Sequence, residues 1–178
     1  MAHTVLIPNK IAATNVDAYV RPFIAPQNMD NGYVFTLGGV SSTAGSEVWT
    51  VTVPTTGSLS GLWMQMESEI PFLASGTNVY NGLGTIRDFY VSASQVATAF
   101  KPQVGDIITV TAEAFTSGTA PTAGQHCVAV NGAYTLTAQA AGGAGQDWVC
   151  REVNFIPYAD GTIGTGRLTS YRLECVVA

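Results

Sequence analysis

The stretch Thr169-Ser170-Tyr171-Arg172-Leu173-Glu174-Cys175-Val176-Val177 decides the fold class. Thr169, Tyr171, Leu173, Cys175 and Val177 interleave with Ser170, Arg172, Glu174 and Val176, a period of two. Helical spacing would place Arg172 and Glu174 among apolar side chains, so the segment reads as a strand with one core face. A second clean alternation lies upstream, where Ile108, Val110, Ala112 and Ala114 interleave with Thr109, Thr111 and Glu113 after Gly105-Asp106. It predicts a strand over 108–114.

Weaker versions of the same pattern predict strands over 33–37, 47–53, 61–67, 87–91, 127–130, 134–138 and 149–156. Trp49, Val51 and Val53 share one side of their strand, as do Leu62, Met64 and Met66 of the next. Between these segments lie Asn31-Gly32, Asn81-Gly82, Asn131-Gly132 and Asp160-Gly161, dipeptides that tolerate positive φ at tight turns. The evenly spaced Asn-Gly pairs are followed by unlike sequences, which argues against an internal repeat. Many short strands parted by such turns predict an all-β chain, an antiparallel β-sandwich or β-barrel.

Residues 1–30 read differently. Ile7-Pro8, Arg21-Pro22 and Ala25-Pro26 hold the chain extended, while Val5, Leu6, Ile7, Ile11, Val16, Tyr19, Val20, Phe23 and Ile24 follow no helix or strand period. A segment this apolar must bury its side chains, either on its own β domain or on a neighbouring subunit. The expected organisation is an extended N-terminal arm over 1–30 and a β domain over 31–178, with room for two β subdomains parted near residue 100.

Charged residues make up only 11% of the 178-residue chain, whereas hydrophobic residues make up 47%. An average soluble domain carries roughly 25% charge, so Thr, Ser, Gly, Asn and Gln must solvate this surface. A neutral polar surface suits a subunit packed against others, and equally a secreted β protein. The net charge of −5 and the lack of any Lys/Arg cluster argue against a nucleic-acid partner. Arg151, Arg167 and Arg172 stand beside Glu152 and Glu174 and read as solvated or paired charges.

The first ten residues lack a secretory pattern and no apolar run is long enough to span a bilayer, so the expectation is a soluble, reducing compartment and no membrane partner. Cys127, Cys150 and Cys175 are odd in number and irregular in spacing. They read as small buried hydrophobes.

No constellation points to catalysis. Of the two histidines, His3 is terminal and His126 heads a strand; Gly57-Ser58-Leu59-Ser60-Gly61 puts leucine where a nucleophile elbow needs serine. His126 and Cys127 would point to opposite faces of a strand, which opposes a shared zinc ion with Cys150 and Cys175. Glu67 and Glu69 beside Trp63 are the weak outline of a sugar hydrolase. The Gly142-Gly143-Ala144-Gly145 and Gly161-Thr162-Ile163-Gly164-Thr165-Gly166 stretches lack a phosphate-loop ending and read as flexible hairpin loops. Trp49 groups with Val51 and Val53 as core, whereas Trp63 shares a face with Gln65 and Glu67 and is the candidate for exposed contact. The reading is therefore a non-enzyme with no cofactor and no metal.

Over residues 30–140 the order of segments resembles the head-decoration, or cement, proteins of tailed bacteriophages. The likeness rests on Asn31-Gly32 leading to Leu37-Gly38, then Glu47-Val48-Trp49, Leu62-Trp63, Arg87-Asp88-Phe89-Tyr90, and Phe100-Lys101-Pro102-Gln103-Val104-Gly105-Asp106-Ile107 before a strand. The chain after Gln139 is outside the pattern. The resemblance implies a virion protein on the capsid surface that binds the major capsid protein, stabilises the shell, and self-associates as a dimer or trimer. It also favours the arm, with Val5, Leu6, Ile7, Ile11, Tyr19, Val20 and Phe23 as its capsid contact. The alternative is a virion-associated receptor- or glycan-binding β module, for which Trp148, Tyr158 and Asp160 would supply a host-glycan pocket.

Overall fold

The computed structural model describes residues 3–45, 47–57, 59–68, 72–75, 78–81, 86–159 and 165–178. The chain is all-β. Its described strands are β1 (Leu6–Lys10), β2 (Val20–Ile24), β3 (Val34–Val40), β4 (Trp49–Thr52), β5 (Trp63–Gln65), β6 (Phe72–Ser75), β7 (Asn78–Asn81), β8 (Val96–Phe100), β9 (Ile107–Thr111), β10 (His126–Ala129), β11 (Leu136–Gln139), β12 (Asp147–Ala159) and β13 (Thr165–Val177). They form a closed five-stranded barrel in the order β2-β4-β3-β5-β8, a six-stranded sheet in the order β1-β9-β13-β12-β10-β11, and the β6–β7 hairpin.

The barrel closes through a single parallel bridge, Phe23 to Trp49. Gly38 and Gly39 make that closure feasible, because the β3–β4 register slips between Leu37 and Val40. A Cβ on Gly38 would lie 2.6 Å from Thr50 Oγ1, whose hydroxyl donates to the Gly39 carbonyl at 2.9 Å. A bulge at glycines bends a strand more sharply than the regular pleat allows.

Alternation sorts the barrel wall into two cores. Phe23, Phe35, Val51, Ala97 and Ala99 point inward, with Met29, Phe89 and Val91 joining them. Their neighbours Val34, Met64 and Phe100 point outward against Ile108, Val110, Trp148, Cys150, Leu173 and Cys175 of the sheet. The chain leaves the barrel at Phe100, and this second core is shared by barrel and sheet. β1 also lies in the sheet although it precedes every barrel strand.

The N-terminal segment is not an arm. β1 pairs with β9 through Leu6↔Val110, Ile7↔Thr109 and Pro8↔Ile108, and β2 pairs with β8 from Val20↔Phe100 to Ile24↔Val96. The prolines are tolerated because β1 is an edge strand and β2 meets β4 at one residue only, so each strand has a side where no N–H is required.

Two expected strands are shorter than their alternation suggests. β9 stops at Thr111, and Ala112–Ala114 form a 3₁₀ turn that sends both Ala114 and Phe115 into the core. Ile86–Asp88 also turn, and only Val91 of 87–91 makes a bridge, to Met29. There the Arg87 carbonyl accepts the His3 N–H and the Arg87 guanidinium donates to Glu113, so the segment ties the N-terminus to the end of β9.

The turns behave as expected where they are described. Gly32 and Gly132 have φ of 83° and 77°. Gly82 and Asp160-Gly161 lie outside the described residues.

Candidate functional site

The residues expected to touch a capsid are mostly committed to the fold. Val5, Leu6, Ile11 and Phe23 are buried in the chain's own cores, and Tyr19 and Val20 pack against the shared one. Ile7 alone of the seven is exposed. Side chains held this way cannot dock elsewhere without dismantling β1 or β2, which corrects the expectation of an apolar arm.

Trp63 is half-buried against the barrel core, so it is not the free contact expected. Its strand mate Gln65 is fully buried, with its amide donating to the Met29 carbonyl at 3.2 Å. Glu67 works as a clamp: its Oε2 accepts the Thr98 N–H at 3.0 Å, and the Asn31 carboxamide brackets its backbone with bonds of 2.9 and 2.8 Å. Glu69 lies outside the described residues.

Trp148 is fully buried and offers no surface to a glycan; the Tyr158 side chain and Asp160 are not among the described residues. All three cysteines are buried and free. Burial foremost, then nearby negative charge, pushes the Cys127 and Cys175 thiols up to about 12. His126 Nδ1 lies 2.7 Å from Asp147 Oδ2, and among the described residues no group of three or more His, Cys, Asp or Glu is placed to hold a metal. No described helix is long and apolar enough to cross a membrane.

What the alternation did not disclose is how far β12 and β13 run beyond their neighbours. β10 pairs with β12 only over His126↔Val149 to Val128↔Asp147, and β9 pairs with β13 only from Ser170 to Glu174. The register of β12 with β13 nevertheless continues to Ala159↔Thr165. The outer half of this hairpin therefore extends past both flanking strands.

Its two faces differ. A register shift between Cys150 and Glu152 leaves Arg151 as an extra residue, after which Val153 pairs with Tyr171 and Phe155 with Thr169. Directly opposed residues share a sheet face, so Val153 and Phe155 continue the face that buries Trp148, Cys150, Tyr171 and Leu173. Beyond the body that face is open: Val153 is 41% and Phe155 56% exposed. The Arg167 guanidinium lies 6.0 Å from the centre of the Phe155 ring. The opposite face carries ion pairs near its base, with Arg151 Nε 2.7 Å from Glu174 Oε2 and Arg172 4.0 Å from Glu152, and farther out Ile156 opposite the buried Leu168.

A concave feature of about 1070 Å³ opens where the N-terminus, the β2–β3 loop and the segment after β9 meet. His3, Asn28, Asp30, Tyr33, Tyr90, Glu113 and Phe115 line it. Asp30 Oδ1 lies 2.7 Å from His3 Nδ1 and its Oδ2 accepts the Thr4 N–H at 3.1 Å. The His3 ring stacks on Tyr90 at 4.6 Å, and Tyr33 stacks on Tyr134.

Burial pushes the Glu113 carboxyl up. Hydrogen bonds from Thr111, its own backbone and Arg87, together with the Arg87 charge, outweigh it and hold the group below its ordinary range. Burial, then the charge of Asp30, raises the Tyr33 phenol, which stays a neutral O–H donor. These residues are scattered along the chain with no local motif, which is why sequence reading missed the cleft.

Compared with protein-family models, curated proteins and solved structures, the chain matches none.

Proposed function

We propose that this chain is a virion structural protein that decorates the capsid, and that it binds the major capsid protein through the open face of the β12–β13 hairpin. The observation that carries the reading is the uncovered continuation of a core face from Tyr171 onto Val153 and Phe155. Apolar side chains on a ribbon that runs past its flanking strands form an exposed surface on which a partner can pack.

Burying such side chains contributes roughly 1.5–3 kcal/mol each before the cost of association, a modest contact per copy. Decoration tolerates modest contacts, since binding to the assembled lattice alone shifts its stability by mass action over many sites. The charge-poor, hydroxyl-rich composition of the chain as a whole supports the same reading, since a neutral polar surface repels a protein partner weakly.

The test is co-sedimentation of the purified chain with undecorated phage heads, comparing wild type with the double variant Val153→Ser, Phe155→Ser. Binding by wild type and its loss in the variant, at unchanged melting temperature, is the expected result. Failure of wild type to sediment with heads, or equal binding by the variant, overturns the proposal.

A further inference from the structure

The cleft between the N-terminus and the end of β9 has no part in the hairpin's contact, and its lining selects for a particular chemistry. Its carboxylates are already matched: Asp30 by His3 and the Thr4 N–H, Glu113 by Arg87. The Arg87 guanidinium offsets the Glu113 charge, and both Asp30 oxygens already have partners, which leaves little to hold a cation. An anion would meet two carboxylates with no unpaired Lys or Arg among the lining residues.

The remaining surface combines aromatic rings from Tyr33, Tyr90 and Phe115 with groups that both donate and accept, the phenols, the Asn28 amide and the Ser117 hydroxyl, and with carboxylate oxygens that accept. Tyr90 is exposed and held by its stack on His3, so one ring face is presented in a fixed place. The volume of about 1070 Å³ is at the upper end of small-ligand sites, enough for more than one ring. A ligand that fits must be uncharged, rich in hydroxyls, and flat and apolar on one side.

We infer that this cleft is a binding site for a neutral saccharide, its ring lying on Tyr90 and its hydroxyls shared among the carboxylates, the amide and Tyr33. Recognition here is binding without chemistry, since neither carboxylate is free to act as an acid or base.

Titration of the isotopically labelled full chain with free glucose, galactose, mannose and N-acetylglucosamine, followed by amide NMR, tests it. At least one sugar is expected to give saturable shifts confined to residues around His3, Asp30, Tyr90 and Glu113, with a dissociation constant on the order of 1–10 mM. Tyr90→Ala removes an exposed ring and should weaken that sugar about tenfold or more while the melting temperature holds; Glu113→Gln, which keeps the shape, should weaken it less. Tetramethylammonium chloride serves as the cationic probe. No saturable shift with any sugar, shifts that are unaltered in Tyr90→Ala, or binding of tetramethylammonium in preference to all four sugars overturns the inference. None of these outcomes bears on the sedimentation experiment, so the two proposals fail separately.

Discussion

Val153 stands directly across the hairpin from Tyr171, one exposed and the other buried in the core shared by barrel and sheet. The pairing depends on the extra residue at Arg151. Without it, an unbroken ladder from Cys150↔Leu173 would bring Glu152 opposite Tyr171 and turn Val153 to the charged face. The sequence thus keeps an apolar face aligned out to Val153 and Phe155, past the reach of the flanking strands β9 and β10.

Stability should separate the two ends of that face. Phe155→Ser is expected to change the unfolding free energy by no more than about 0.5 kcal/mol, as for surface substitutions generally. Leu173→Ala, on the same face but fully buried, should cost about 2–5 kcal/mol. Urea unfolding of both variants measures the contrast; a large loss in Phe155→Ser would mean the hairpin packs on the body.

The N-terminal segment makes a sharper case. Deleting residues 1–24 removes β1 and β2, and with β2 goes the Phe23↔Trp49 bridge that closes the barrel. A truncated chain is expected to lose cooperative unfolding, whereas loss of a peripheral arm would leave the melting curve unchanged. Phe23→Ala, a milder probe of the same role, should destabilise by about 3–5 kcal/mol. Circular dichroism melts of the two variants decide the matter.

This segment also shows where sequence reading stops. β13 and β9 were legible because each has one face in the core and one outside, which writes a period of two into the residues. β1 and β2 carry prolines and apolar residues without a period, since their tolerance of proline comes from neighbours absent on one side, a property of topology. β8, Val-Ala-Thr-Ala-Phe, was overlooked because its inward alanines are small, their size set by the narrow barrel interior they share with Phe23 and Phe35. Barrel closure, strand order and the projecting hairpin depend on which distant strands meet, and the cleft gathers residues from 3 to 118. No local pattern records either.

The glycine stretch 142–145 is more than a pliant loop. A Cβ on Gly145 would come within 2.4 Å of the Leu59 carbonyl oxygen, and Gln146 N–H donates to that same carbonyl at 2.7 Å. Backbone cannot step aside as a side chain can, so Gly145→Ala should push the Leu59 backbone away from Gly145 and Gln146. A loss of about 1–3 kcal/mol is expected, typical of overpacking. Gly57→Ala, with open space around it, serves as the control and should be neutral in the same denaturant titration.

Alkaline pH should expose the buried thiols. Cys127 and Cys175 ionise at about 12 in the folded chain against an ordinary 9.0, chiefly because burial disfavours the thiolate. Below the ordinary value both folded and unfolded chains hold the protons, and these thiols give stability no pH dependence. Above it the unfolded chain releases protons that the folded chain retains, so unfolding becomes progressively easier until the folded thiols also ionise. The folded-state pKa is raised, hence stability is full at lower pH and declines as pH climbs from about 9 toward 12. The limiting slope is about 1.4 kcal/mol per pH unit for each thiol. Urea midpoints followed from about pH 8.5 to about 10.5 should fall more steeply for wild type than for Cys127→Ala, whatever constant offset the smaller side chain introduces. Equal slopes would mean that the Cys127 thiol titrates alike in both states, with water reaching it inside the fold.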